Sequence, residues 1–532
     1  MAFKVLVTDK LDKEGVELLK SFKEIEVIEK ETLKGDALKN ELKGYDAIII
    51  RSDTKMTKDI IEASQGLKVI SRAGVGVDNV DVPAATDKGI VVMNAPLGNT
   101  ISTAEYTFAM MISLARKIPF GYVTTKIENK WDRKSFKGVE LLGKTLGVVG
   151  LGRIGTEVAK RAKAFGMKII GYDPYISDEL ADNLGIELAD LDKIYKESDF
   201  ITIHTPLTEQ TRGMIGKKEI ETMKKNVRII NCARGGVIDE TALADALKEG
   251  RIAGAALDVY SKEPPFEPRN PLMDAPNCLV APHLGASTSE AQFNVAVESA
   301  ESVANFLIHG IIVNSVNMPS INKELFINLK GYISLSEKMG MMISQCIEGQ
   351  IEEMKITCAG EEIEEKDISI LTRAALKGLF QSFLGDTVNY VNSTATAKSR
   401  GIKVIEQKDE ISSEYNNLIS LSVRSDKEEM VLWGTVFSRS QGKIVKFNDY
   451  FFEVDPAGNL LIIYNEDTPG VIGKVGTIMG ENKINIASMK VSRKTSNNKA
   501  IIILNVDSGV NENVAGLLKK VPEIIKLKIV KL

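Results

Sequence analysis

Histidine is scarce in this sequence, with three in 532 residues beside two tryptophans and four cysteines. Cys232, Cys278, Cys346 and Cys358 form no CxxC pair and no metal-ligand spacing, which excludes a disulfide framework and a cysteine metal site and points to reduced thiols. Long apolar runs are also missing. No segment approaches the ~20 apolar residues of a membrane span, and the opening MAFKVLVTDK lacks the apolar stretch of a signal peptide. Charge of one sign is not in excess: 68 basic against 72 acidic side chains leave a net −4 with no long block of either. A nucleic-acid partner would require a basic face that this balance does not offer in bulk. The expectation is a cytoplasmic protein without nucleic-acid or membrane partners. Low-complexity stretches and solenoid repeats are absent as well.

What is present is regular alternation. Residues 1–98 read KVLVTD, LDKEGVELLKSF, IEVIE, YDAIII, LKVIS and IVVMN, strand and helix patterns in turn, as a parallel α/β sheet requires. A second series opens at residue 145 with TLGVVG and runs through MKIIGYD, FITIHT, VRIINCA, IAGAALDV and CLVAP, six strands of a doubly wound domain. The helix patterns TAEYTFAMMISLARK and EAQFNVAVESAESVANFLIHG flank this series and read as crossings between two lobes. Near NMPSIN (317–322) the character changes to one strong helix pattern, SILTRAALKGLFQSF, among strand-like runs. The last 75 or so residues read strand, helix, strand, strand, helix, strand, a ferredoxin-like unit.

GVVGLGRIGTEVAKRA carries Gly150, Gly152 and Gly155 in a GxGxxG pattern after an apolar strand and at the start of a helix. Glycine lets the backbone turn tightly and approach a pyrophosphate at the helix N-terminus, where Arg153 and Ile154 also sit. Asp173 ends the next strand, placed to accept from both ribose hydroxyls. No arginine follows it in Pro174 and Tyr175, so a 2′-phosphate would meet uncompensated negative charge. The expected cofactor is NAD.

Ligands of open α/β sheets bind beyond the carboxyl ends of the strands. Arg234 follows VRIINCA, Glu263 follows GAALDVYSK and His283 follows LVAP, so three strands deliver them to one cleft. Oxidising a 2-hydroxy acid needs a fork of donors for the carboxylate, a base for the hydroxyl proton and a group that orients the base, roles that Arg, His and Glu match. A neighbouring carboxylate favours the imidazolium and raises its pKa. His204, in ITIHTPLT, lacks an evident carboxylate partner and reads as a lining of the cofactor pocket. His309, late in a helix, reads as structural.

The stretches RAGVGVDNVD (72–81), VGLGRIG (149–155), HTPLT (204–208), NCARGGVIDE (231–240), ALDVYSKEPP (256–265) and APHLGAST (281–288) resemble the D-2-hydroxyacid dehydrogenase family, in its long-form phosphoglycerate dehydrogenase branch. The resemblance implies Arg234 on the substrate, Glu263 supporting the histidine and His283 exchanging the hydroxyl proton. It adds Thr205, Pro206 and Cys232 to the cofactor pocket and makes Asp258 the partner of the nicotinamide amide. Val75 and Gly76 become backbone donors to the substrate carboxylate, and Arg51, Ser52, Thr54, Arg72 and Arg133 lie near a phosphorylated acid. Surplus basic groups suit a phosphate.

NEDTPGVIGKVGTIMGENKINIASM looks like the opening of an ACT domain. Such domains in this branch pair across an edge and bind L-serine, and Asp467 and Asn485 match positions that hold the amino acid. The sequence departs from the pattern at Asn465, where histidine or tyrosine is common, and at Thr468, where arginine is common. The implied fold class is α/β: two Rossmann-like lobes, then an α+β intervening domain and a ferredoxin-like ACT domain. The expected boundaries are 1–98 with 288–316 for substrate, 99–287 for NAD, 317–455 for the intervening domain and 456–532 for the ACT domain. The expected function is NAD-dependent oxidation of 3-phospho-D-glycerate, the entry to serine synthesis, by a homo-oligomer with serine as effector. Two other readings fit the first 316 residues: a hydroxypyruvate or glyoxylate reductase, and a dinucleotide-sensing regulatory protein.

Overall fold

The computed structural model describes residues 2–319, 323–360, 368–409, 415–438, 441–494 and 498–532. The end of the NMPSIN change point, 320–322, lies outside them. Contacts divide the chain into two compact units, one of residues 1–11, 16–94 and 299–532, the other of residues 12–15 and 95–298.

The first unit opens with a five-stranded parallel sheet of β1 (Phe3–Val7), β2 (Ile25–Glu29), β3 (Ala47–Ile50), β4 (Val69–Arg72) and β5 (Val91–Asn94), in the order β2-β1-β3-β4-β5. All four residues of β3 are buried, as expected of a strand covered on both faces.

The second unit holds a seven-stranded parallel sheet: β6 (Thr145–Val149), β7 (Lys168–Tyr172), β8 (Glu187–Leu188), β9 (Phe200–Ile203), β10 (Arg228–Asn231), β11 (Gly254–Leu257) and β12 (Cys278–Val280). Their order, β12-β11-β10-β9-β6-β7-β8, reverses direction at β6, the switch point of a doubly wound fold. Sequence periodicity finds six of these strands. The seventh, β8, pairs with β7 over two residues, too few for any period to register. Helix α1 (Thr100–Ala115) packs Phe108, Met111 and Leu114 on one face of the sheet beside α2 (Arg153–Ala164), while α3 (Glu240–Lys248) buries Leu243 and Leu247 on the other. Helix α4 spans Ser289–His309.

In the first unit the chain continues through α5 (Lys323–Cys346), α6 (Ser369–Leu384) and a mostly antiparallel sheet of β13 (Ile351–Ala359), β14 (Lys403–Asp409), β15 (Leu418–Ser425), β16 (Glu429–Ser438), β17 (Gln441–Phe447) and β18 (Tyr450–Val454), ordered β14-β13-β15-β16-β17-β18. Sequence reading singles out α6 and passes over α5. The two helices meet backbone to backbone: a Cβ on Gly340 would fall 2.1 Å from the Ala375 carbonyl oxygen. The stripe of Leu329, Tyr332, Ile333, Met339, Met342, Ile343 and Cys346, buried along α5, is a helical period that the sequence does carry.

The chain ends in β19 (Asn459–Glu466), α7 (Val471–Glu481), β20 (Ile486–Lys494), β21 (Lys499–Val506), α8 (Glu512–Lys519) and β22 (Ile524–Lys531), with strand order β20-β21-β19-β22, all antiparallel. Val471, Val475 and Met479, one face of α7 at a spacing of four, pack with Val514 and Leu518 of α8 on Leu461, Ile463, Ile502 and Leu504. This is the ferredoxin-like unit that the sequence predicts.

Candidate active site

The Gly-rich turn joins β6 to α2. Gly150 adopts φ +95°, where L side chains are strained, and a Cβ there would lie 2.8 Å from the His204 carbonyl oxygen. A Cβ on Gly155 would lie 2.0 Å from the Gly150 carbonyl oxygen. Gly152 is different, since its missing side chain would meet nothing within 4 Å. The turn therefore closes tightly on its own sheet and leaves open space at the first residue of α2, Arg153, where a pyrophosphate would meet unpaired N–H groups. Asp173, just past β7, accepts from Leu151 N and Tyr175 N, both at 2.9 Å, so it braces the turn. That bracing role escapes sequence reading.

His204 follows β9, its Nε2 3.0 Å from Thr202 Oγ1. Desolvation pushes its pKa down to about 3, so the imidazole is neutral. Thr205 Oγ1, beside Gly150, is buried without a hydrogen-bond partner among the described residues. Pro206 is exposed, and Cys232 is a buried thiol whose pKa burial raises to about 12. Open space at a helix N-terminus, an acidic strand end and an orphaned hydroxyl suit a dinucleotide without a 2′-phosphate.

At the carboxyl ends of β10, β11 and β12 stand the three residues expected to carry chemistry. His283 Nδ1 lies 2.8 Å from Glu263 Oε2. The hydrogen bond to His283 brings the Glu263 carboxyl below its ordinary value even though burial alone would raise it. An ionised carboxylate only accepts, so Nδ1 carries the proton and Nε2 is left for a ligand. Glu263 Oε1 accepts from Tyr260 N at 3.1 Å. The Tyr260 hydroxyl donates to the Ala281 carbonyl at 2.9 Å, two residues before His283, so one tyrosine ties both segments. Arg234 is shaped by Asn231, whose side chain donates to the Arg234 carbonyl at 2.8 Å and accepts from Ala233 N at 3.0 Å. Its positive charge lowers the pKa of both Glu263 and His283, which sets all three within one electrostatic field.

His283 itself sits at φ +57°, a left-handed conformation that histidine tolerates better than most side chains. The next two amides, Leu284 N and Gly285 N, donate to Asp258 at 2.8 and 2.7 Å. Asp258 is 0% exposed, and burial raises its pKa against the pull of those two bonds. A carboxylate expected only to meet the cofactor thus also pins the turn that presents His283.

The hydrogen bond that His283 donates to Glu263 raises the imidazole's pKa above its ordinary value, against a smaller lowering by desolvation. Glu263→Gln removes that cause, so the imidazole is expected to titrate at lower pH. With three histidines in the chain, an imidazole NMR titration resolves the shift; an unmoved pKa would contradict the pairing.

In the first unit, Arg51 and Ser52 follow β3, Arg72 ends β4, and Val75 and Gly76 lie in the turn beyond, where Asn94 Nδ2 donates to the Val75 carbonyl at 2.6 Å. Thr54 corrects the sequence expectation. It is 0% exposed, and its hydroxyl donates to Asp9 Oδ1 at 2.6 Å rather than facing a ligand. Asp9 also accepts from Arg51 N at 2.8 Å and Thr54 N at 3.0 Å, so it shapes the loop that carries Arg51. Only its position at the end of β1 hinted at this. Arg133 stands on an exposed loop of the second unit after Trp131.

At the C-terminal unit, Asp467 lies 3.4 Å from Arg493, and Asn465 is 3% exposed with its Oδ1 unpartnered among the described residues. Asn485 donates to Asp507 at 2.6 Å. Register places Asn465 opposite Ala500 but Ile486 opposite Val506, so Asp467 and Asn485 stand at opposite ends of β21. At ~3.4 Å per residue that is roughly 20 Å, beyond the reach of one small amino acid within a single chain.

A doubly wound sheet with a GxGxxG turn, an acidic residue after its second strand and an Arg/Glu/His set at its strand ends defines an NAD-dependent 2-hydroxyacid dehydrogenase. Comparison with known proteins agrees. Residues 108–285 match the D-isomer specific 2-hydroxyacid dehydrogenase NAD binding domain, 328–448 the D-3-phosphoglycerate dehydrogenase intervening domain, and 459–523 the ACT domain. The chain is 42% identical over 530 residues to D-3-phosphoglycerate dehydrogenase of Bacillus subtilis, covering 100% of each, and 44% identical to that of Methanocaldococcus jannaschii, covering 99% of this chain and 100% of the relative. Among solved structures, D-lactate dehydrogenase of Aquifex aeolicus, complexed with NAD and lactic acid, matches with TM-score 0.51 at 31% identity, over 59% of this chain and 100% of its own. The chain belongs to the long-form D-3-phosphoglycerate dehydrogenase family, with intervening and ACT domains.

Proposed function

We infer that this enzyme oxidises 3-phospho-D-glycerate to 3-phosphohydroxypyruvate with NAD, as the first step of L-serine biosynthesis, and that L-serine restrains it through the ACT domain. The observation that carries the reading is the extent of the likeness: it runs through the intervening and ACT domains, whereas a glyoxylate reductase of Paecilomyes thermophila matches over 59% of the chain. A reductase or a dinucleotide sensor leaves the remaining domains unexplained.

In this reading Arg234 holds the substrate carboxylate with help from Val75 and Gly76 N–H, and Arg51, Ser52, Arg72 and Arg133 serve the phosphate. His283 takes the hydroxyl proton on Nε2, and Glu263 keeps Nδ1–H oriented and stabilises the imidazolium. The turn at Gly150, Gly152 and Gly155, with Arg153 and Ile154, holds the pyrophosphate, Asp173 the ribose hydroxyls, and His204, Thr205, Pro206 and Cys232 line the pocket. Asp258 retains lone pairs for the nicotinamide amide beside the two backbone bonds it accepts. NAD, when bound, supplies the hydride acceptor.

The raised His283 pKa sets the pH dependence. Carbonyl reduction needs the imidazolium, so activity is full below that pKa and falls as pH rises through it. Oxidation needs the neutral ring, and activity falls as pH drops through the same value.

The four functional domains follow the boundaries 1–98 with 288–316, 99–287, 317–455 and 456–532, and each has a sheet of its own in support. The separation of Asp467 from Asn485 supports an effector site completed by a second chain, hence a homo-oligomer. Four free cysteines support a reducing, cytoplasmic setting. The test is NADH formation from 3-phospho-D-glycerate with and without millimolar L-serine, in the native enzyme and in Asp467→Ala. Turnover that serine slows in the native enzyme alone is expected. Absence of turnover would overturn the reaction, and indifference to serine would overturn the regulation.

A further inference from the structure

Glu240 lies outside the acid–base set and is only 9% exposed. A buried carboxylate needs several donors, and this one has three: Ser261 N at 2.6 Å, Ser261 Oγ at 2.7 Å and Asn270 Nδ2 at 2.5 Å. Those donors are the two ends of the loop SKEPPFEPRN, residues 261–270, which carries Glu263. Three of the ten residues, Pro264, Pro265 and Pro268, have no N–H to give, so the loop has few means of bracing itself. The bond from Asn270 N to the Pro265 carbonyl, at 2.9 Å, closes its second half onto the anchored end. Capping does not explain the carboxylate either. Asp239 already caps α3 by accepting from Thr241 N and Ala242 N at 3.0 and 3.1 Å, which frees Glu240, the first residue of α3, to face the loop.

The chain of contacts leads directly to the imidazole. Glu240 fixes Ser261; the preceding peptide presents Tyr260 N to Glu263 Oε1; Glu263 Oε2 meets His283 Nδ1. The turn after Arg234 rests on the Tyr260–Ser261 peptide whose N–H Glu240 holds, for a Cβ on Gly235 would fall 1.9 Å from the Tyr260 carbonyl. We propose that Glu240 is a positioning residue for the acid–base pair, acting through Ser261 to set the Glu263–His283 geometry and with it the proton affinity of His283. This rests on the reading of His283 and Glu263 as the proton-transfer pair.

Glu240→Gln turns an amide toward donors and breaks at least one arm of the clamp; Ser261→Ala removes one hydroxyl and leaves the fold's backbone bonds in place. Both are expected to lower kcat, Glu240→Gln by on the order of tenfold or more, as small misplacements of reacting groups do. They also move the His283-dependent limb of the pH profile and its NMR titration to lower pH, while the KM for NAD holds. Glu240→Asp should recover part of both. If Glu240→Gln does not fold, Ser261→Ala decides. Unchanged kcat and pH profile, or a loss of thermal stability alone, would overturn the proposal. His283→Asn in parallel separates the two claims: if it retains full activity the underlying reading has failed, whereas an inactive His283→Asn beside an unaltered Glu240→Gln rejects Glu240 alone.

Discussion

Replacing His283 by asparagine is expected to lower kcat by about 10²- to 10⁴-fold, the usual effect of losing a general acid or base. Asparagine is the informative choice because His283 stands at φ +57°, and asparagine is among the few side chains that accept a left-handed backbone. The turn pinned by Asp258 through Leu284 N and Gly285 N can therefore persist. Affinity for NAD should persist with it, since the proposed pyrophosphate and ribose contacts, around Gly152 and Asp173, follow β6 and β7 rather than β12. The substituted amide cannot exchange a proton near neutral pH. A variant with unchanged turnover would remove His283 from the chemistry.

The second large effect belongs to Gly155. A methyl group there would sit 2.0 Å from the Gly150 carbonyl oxygen, and because the obstacle is backbone it cannot swing aside. Gly155→Ala must push α2 away from β6, a strain of about 1–3 kcal/mol. It also displaces the helix N-terminus proposed to receive the pyrophosphate. The expected result is a lower unfolding midpoint together with at least a tenfold weaker NAD affinity, the equivalent of about 1.4 kcal/mol. Gly152→Ala is the control. Its added methyl meets no protein atom within 4 Å, so stability should hold while cofactor binding alone weakens. Equal stability losses in the two variants, measured by thermal melts with and without NAD, would contradict this division.

Features carried by short-range patterns were legible in the sequence. The GxGxxG turn, the strand-end placement of Arg234, Glu263 and His283, and the ferredoxin-like order of the last unit all depend on local spacing, and each has its counterpart in the structure. Features that depend on distant partners were not. Thr54 resembled a ligand-facing hydroxyl because Asp9, the partner that buries it, lies 45 residues away. Glu240 resembled an ordinary acid in a helix's first turn, since its donors follow 21 and 30 residues later. Strand β8 was hidden by its length of two residues, whereas α5 was passed over although its buried Leu329, Tyr332, Ile333, Met339, Met342 and Ile343 fall at helical spacing. The opposed ends of Asp467 and Asn485 follow from β21 register, which no single-strand pattern encodes.

The proposed reaction selects a phosphorylated 2-hydroxy acid and moves its proton through His283. The most direct test is NADH oxidation with 3-phosphohydroxypyruvate beside hydroxypyruvate, in the native enzyme and in Arg51→Ala. The expected result is a preference for the phosphorylated acid of at least about tenfold in kcat/KM, the worth of one charge-assisted hydrogen bond, and a smaller preference in Arg51→Ala. Equal use of the two acids by the native enzyme would contradict it.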